Sequence, residues 1–115
     1  EPVGAADGAR SFAAGVLDHD FVPDTVCDGL RGTLGAINFE LLRTTDARVL
    51  TVDDAATLSA QRMLLARMKQ IVEPSSAIAL AAVLGNRTLF AGRRVGIVLT
   101  GGNVDFTALA DLLRE

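Results

Sequence analysis

The run from Val95 to Asp105, VGIVLTGGNVD, constrains this chain more than any other stretch. Val95, Gly96, Ile97, Val98 and Leu99 are apolar or small, and a hydroxyl, two glycines and an amide follow at once. That order reads as a buried strand running straight into a tight loop. In open α/β sheets, ligands bind just beyond the carboxyl ends of strands. Glycines there admit a close backbone approach, and a short polar side chain faces the ligand. Thr100, Gly101, Gly102 and Asn103 suit such a position. A strand ending in Gly-Gly also serves as a plain turn, and these residues alone leave both readings open.

The remaining pattern predicts an α/β fold. Short parallel strands are expected over about 48–52 and 95–99, packed by helices over about 5–14, 36–44, 54–72, 75–84 and 107–114. Gly15 closes the first helix, Asp53 caps the third, and Pro74 restarts the helical pattern after Glu73 because proline is tolerated at a first helical position. The helix that Pro74 opens is apolar almost all round and should be buried, with Gly85 at its C-terminal end and a loop over 86–94. Glycines crowd Thr25 to Gly35, implying irregular backbone that comes close to something. With Phe as the sole aromatic type, the core rests on Ala, Val, Leu and Ile, which suits close packing of helix on sheet.

Charge and cysteine usage narrow the function classes. A net charge of −3 with scattered basic residues gives no footprint for nucleic acid. Cys27 is the single cysteine, so there is no internal disulfide, and its presence suits a reducing cytoplasm. No apolar run reaches membrane-spanning length and no signal-peptide pattern is present, so a cytoplasmic protein is expected. His19, between Asp18 and Asp20, reads as a solvated loop histidine rather than a metal ligand. Lys69, the only lysine, reads as a basic residue at a helix C-terminus rather than a Schiff-base former. The chain opens on Glu1-Pro2-Val3-Gly4 with no initiator Met, as a segment from within a longer polypeptide would.

Several motifs in order carry a resemblance. Val72-Glu73-Pro74-Ser75-Ser76-Ala77 lies ahead of Val98-Leu99-Thr100-Gly101-Gly102-Asn103-Val104-Asp105, and Asp28-Gly29-Leu30 with Gly35, the run Val49 to Val52 and the opening Glu1-Pro2 lie upstream. Together they resemble the C-terminal part of the serine racemase and threonine dehydratase family, pyridoxal-phosphate enzymes of the tryptophan synthase β-subunit fold. The resemblance covers essentially the whole chain and implies a single partial domain over 1–115, with no regulatory domain if Glu115 is the natural end.

The resemblance implies roles residue by residue. Thr100 stands where the family places a hydroxyl or thiol against the pyridine nitrogen of pyridoxal 5'-phosphate. Serine is commoner there, so Thr100 is a mild departure that keeps the hydroxyl. A neutral partner leaves that nitrogen largely unprotonated and weights the chemistry toward β-elimination. Gly101, Gly102, Asn103, Gly29 and Glu73 are implied as the rest of the cofactor-side set. Glu1, the Ala5 carbonyl and Asp7 match the family's divalent cation site, an all-oxygen set suited to Mg²⁺, Ca²⁺ or Mn²⁺. The Schiff-base lysine, the phosphate loop and the second catalytic base belong to a part of the family's chain that is not present here, and Lys69 does not match that lysine.

The expected function is therefore a segment of an ammonia-lyase or racemase acting on serine, threonine or another 3-hydroxy amino acid. It is expected to be inactive alone and to partner with the N-terminal part of the same enzyme, in a homodimer that covers exposed sheet edges. A non-catalytic binding module reusing this half-fold is the alternative. A phosphate cradle at Thr100 to Asn103 is a third reading, without a glycine-rich fingerprint opening a helix to support it.

Overall fold

The computed structural model describes residues 1–114. Its helices are α1 (Asp7–Ala14), α2 (Ala36–Arg43), α3 (Asp54–Met63), α4 (Pro74–Gly85), the short α5 (Arg87–Phe90) and α6 (Phe106–Leu112), with single 3₁₀ turns at Val3–Ala5 and Asp28–Leu30. The molecule is a slab, 42 × 36 × 19 Å, about two helix diameters through its short dimension. At that thickness most helices keep one face uncovered.

Local chemistry sets most helix ends. Asp53 accepts the Ala56 N–H at 2.7 Å and caps α3, while Asp105 accepts from Thr107 and Ala108 and caps α6. Gly15 closes α1 in the left-handed region, φ 73°, with its N–H on the Ser11 carbonyl. Pro74 opens α4 as expected from its fixed φ and missing donor. Gly85 is the last residue of that helix rather than its cap; Asn86 is the C-cap, tied back by its side chain to the Ala82 carbonyl at 2.8 Å. The expected loop over 86–94 also holds the single turn α5.

The helix expected over 54–72 is shorter. After Met63 the coil widens into a π turn, Leu64–Met68, and Lys69 takes a left-handed conformation, φ 58°. One extra residue per turn shifts the last carbonyls, and the chain leaves the helix before Ile71. Its exit brings the Ile71 carbonyl beside Gly102 and lets the Glu73 N–H donate to the Gly101 carbonyl at 3.0 Å. Lys69 still satisfies a helix end, with Nζ on the Ala66 carbonyl at 2.7 Å.

The two expected strands do not form a ladder among the described residues. The 48–52 run makes one parallel bridge, Val52 to Pro2, with Val3 N–H on the Val52 carbonyl at 2.9 Å and Val52 N–H on the Glu1 carbonyl at 2.8 Å. Val95 to Leu99 pairs with no described segment, and Val98 is 76% exposed. A strand exists only through a hydrogen-bonding neighbour, and none of the described residues hydrogen-bonds to this run.

The core sits under α4. Ile78 and Ala81 pack with Ala60 of α3, Val52 and Cys27, and Ala77 joins Leu64 and Val72 in a second cluster. Burying each of Val52, Leu64, Val72 and Ile78 contributes about 1.5–3 kcal/mol. Small residues at Ala60, Ala77 and Ala81 allow α3 and α4 to approach closely, and this is the most extensive helix pair among the described residues. The start of α4 is thereby fixed against α3, beside two loops.

Candidate functional site

The first turn of α4 ties those two loops together. Ser75 and Ser76 follow Pro74, and each hydroxyl accepts a backbone N–H from a different segment. Ser75 Oγ accepts from Gly29 at 3.0 Å, and Ser76 Oγ accepts from Thr100 at 3.0 Å. Just before the helix, Glu73 donates its N–H to the Gly101 carbonyl. Thr100, Gly101, Glu73 and Gly29 are thus gathered around one helix N-terminus, although they come from three separate stretches of the sequence. In the sequence, Ser75 and Ser76 belong to the Val72–Ala77 motif with no role of their own. Two adjacent hydroxyls after a proline that opens a helix are the signal that could have found them.

Two glycines in this cluster are needed for contact. A Cβ at Gly101 would run into the Glu73 carboxylate, and a Cβ at Gly102 would stand 2.8 Å from the Ile71 carbonyl oxygen. The Thr100 side chain is exposed, and among the described residues its hydroxyl has no hydrogen-bond partner. An unengaged hydroxyl next to a bare Gly-Gly backbone can donate to, or accept from, a flat heterocycle laid against the loop. Those features fit a pyridine ring nitrogen.

The Asp28 turn is held independently. Asp54, in the first turn of α3, accepts from the Thr25 hydroxyl at 2.6 Å and the Val26 N–H at 2.9 Å. The Arg31 guanidinium clamps the Thr25 carbonyl at 2.6 and 3.2 Å. Cys27 is fully buried beneath this knot, and burial pushes its thiol up from the usual range. Gly29 N–H has a second acceptor, Asp28 Oδ1 at 2.9 Å.

Asn103 lies away from the Thr100 cluster's hydrogen bonds. It lines a cavity of about 510 Å³ between α3 and α6. Glu1 and Asp7 line a different cleft, about 310 Å³, together with Gly29, Gly32 and Gly35. The Glu1 carboxylate accepts the N–H groups of Gly8 at 3.1 Å and Ala9 at 2.9 Å, so it caps α1 with both oxygens. Buried Asp7 accepts the Leu34 N–H at 2.6 Å through Oδ2. Ala5 is buried in the preceding turn. Among the described residues no group of three or more His, Cys, Asp or Glu side chains is placed to hold a metal ion. His19 is exposed on its loop.

Known proteins share this fold. A sequence profile of the family described as pyridoxal-phosphate dependent enzyme matches residues 1–101. An L-threo-3-hydroxyaspartate ammonia-lyase from a Pseudomonas species is 41% identical over 115 residues, covering 99% of this chain and 36% of that protein. The solved structure of maize serine racemase superposes with a TM-score of 0.87 at 37% identity, covering 99% of this chain and 36% of that one. The serine racemase of Dictyostelium discoideum gives a TM-score of 0.82 at 36% identity, covering 91% and 34%. The chain spans about a third of the length of the relatives it matches. Matched along most of its length by the family profile, and by relatives at this identity, the chain belongs to the pyridoxal-phosphate-dependent enzyme family.

Proposed function

We propose that this chain forms the pyridine-nitrogen wall of an ammonia-lyase that eliminates water and releases ammonia from a 3-hydroxy amino acid. The observation that carries the reading is the unengaged Thr100 hydroxyl, held beside Gly101 by Ser76 and Glu73. When bound, pyridoxal phosphate supplies an electron sink for charge developing at the substrate Cα. Thr100 presents a neutral hydroxyl to the ring nitrogen and leaves that nitrogen without a full positive charge, which moderates the sink and favours loss of a β-hydroxyl. Gly101 and Gly102 let the Glu73 carboxylate and the Ile71 carbonyl close against the loop that carries Thr100, so Glu73 flanks the ring site. Gly29 borders the same site from the Asp28 turn. Asn103 follows the glycines and lines the neighbouring cavity.

The substrate class is supported by the hydroxyaspartate lyase relative, and serine or threonine are the neighbouring choices. Racemisation is the second reading, favoured by the superposition on serine racemase. The lysine, phosphate loop and second base would come from the rest of the enzyme, so the chain alone is inactive. A chimera tests this: the Pseudomonas lyase with its matching third exchanged for this chain. It should take up the cofactor, as read by visible absorbance, and release ammonia from L-threo-3-hydroxyaspartate. Thr100→Ser should retain both and Thr100→Val should lose much of the turnover. A folded chimera without cofactor uptake refutes the reading, and racemised substrate without ammonia selects the second.

A divalent ion at Glu1, Ala5 and Asp7 is a separate proposal, supported by the oxygen-only donor set. It requires Glu1 to release the α1 N-terminus. Titration of the chimera with MgCl₂ should then change the amide shifts of Gly8 and Ala9, and unchanged shifts at saturating metal refute the site.

A further inference from the structure

Apart from the Thr100 cluster, a cavity of about 510 Å³ opens between α3, α6 and the Asp28 turn. Its apolar floor includes Leu58 and Leu112, and its polar lining includes Asp28, Asp105 and Asp111 with no basic residue. Asp28 and Asp111 each use only Oδ1, on Gly29 N–H and on Arg114 at 2.7 Å, leaving Oδ2 without a hydrogen bond among the described residues. Asp105 is held below the usual carboxylate range by the N–H groups of Ala108 and Thr107, so it stays charged. Arg62, from the next position on α3, lies close by and donates to the Leu112 carbonyl at 2.8 Å.

Gln61 adds an observation of another kind. It is 3% exposed and lines the cavity, and its Nε2 is fixed on the Val72 carbonyl at 2.7 Å. Its Oε1 accepts no hydrogen bond from the described residues and stays open to solvent. An unpartnered acceptor on a nearly buried side chain and free carboxylate oxygens over an apolar floor suit a planar cation with several N–H donors and an aliphatic stem. The helices that line the cavity also carry exposed apolar side chains. Phe106 is 78% exposed and Leu113 55% on and just after α6, and Met63 is 44% exposed on α3. A small ligand leaves such flanks wet, whereas a polypeptide segment covers them.

We propose that this cavity seats an arginine of a basic, apolar-flanked segment from the remainder of the enzyme. The proposal rests on the reading of the chain as one part of a longer enzyme, and it is supported by relatives about three times as long. The guanidinium bridges Asp28 and Asp111 and reaches Gln61 Oε1. Because Asn103 and Asp28 belong both to this cavity and to the loops of the Thr100 cluster, the same contact steadies the cofactor wall.

The test uses the chimera described above, with Asp111→Asn and Ala108→Trp. Both positions are exposed, and neither is in the proposed cofactor wall. An occupied cavity has no room for an indole, so Ala108→Trp should lower the urea midpoint by roughly 1 M. Asp111→Asn should lower it by a smaller amount that vanishes at high salt. Unchanged midpoints for both variants, with normal cofactor absorbance, overturn the inference and leave the proposed function standing. If agmatine instead raises the midpoint of the unmodified chimera and Ala108→Trp abolishes that rise, the cavity is open to a free cation and the inference also falls. A chimera that folds but takes no cofactor refutes the proposed function, whatever the two variants do to the midpoint.

Discussion

Replacing Ser76 with alanine should loosen the Thr100 loop more than replacing Ser75 loosens the Asp28 turn. The asymmetry follows from counting acceptors. Thr100 N–H has one, Ser76 Oγ at 3.0 Å. Gly29 N–H has two, Ser75 Oγ at 3.0 Å and Asp28 Oδ1 at 2.9 Å. A net intramolecular hydrogen bond is worth about 0.5–1.5 kcal/mol, and a donor left without any partner loses more. Water reaches the exposed Thr100 after the substitution, so about 1 kcal/mol is expected for Ser76→Ala. Gly29 keeps its carboxylate acceptor, so Ser75→Ala should stay under about 0.5 kcal/mol. Amide exchange followed residue by residue in NMR spectra reads both. Thr100 should exchange about fivefold faster in Ser76→Ala, and Gly29 at most about twofold faster in Ser75→Ala. Equal acceleration at the two sites, or a larger change at Gly29, would refute the reasoning.

The glycine pair offers a second contrast. Gly102→Ala forces a methyl against the backbone carbonyl of Ile71 and should cost about 1–3 kcal/mol by urea titration. Gly101→Ala meets only the mobile end of Glu73, so it should leave the urea midpoint nearly unchanged while weakening cofactor uptake by the chimera. Lys69→Gly relieves a left-handed residue and should raise stability by about 0.5–1 kcal/mol in the same titration, whereas a loss would argue against the Lys69 geometry. Asp105, with its carboxyl below the usual value, contributes stability above the unfolded-state pKa and loses it as pH falls through the folded one. The amide shifts of α6 should hold from neutral pH to about 5 and change below about 4, and Asp105→Asn should flatten that response.

Where chemistry is local, the sequence is legible. Asp53, Pro74 and Gly15 each act through a side chain or a φ preference that needs no distant partner, and each holds its expected place. The end of α3 is hidden because Leu65, Met68 and Val72 keep helical spacing through the π turn. No glycine or proline marks Lys69. Val95 to Leu99 is legible as apolar but not as paired, since an apolar run encodes burial without naming the surface that provides it. The Thr100 assignment comes from resemblance to a family. Periodicity holds no reason why the start of α4 should meet a loop 24 residues later, because that meeting is set by tertiary packing of α4 on α3.

Ser75 and Ser76 are neighbours on one helix, and successive positions on a helix point about 100° apart around its axis. One rigid rod therefore grips two loops from different directions. A small rotation of α4 moves the Gly29 N–H and the Thr100 N–H together rather than separately. The helix works as a crankshaft between the two walls of the site, and any contact that turns α4 alters the width of the gap between them.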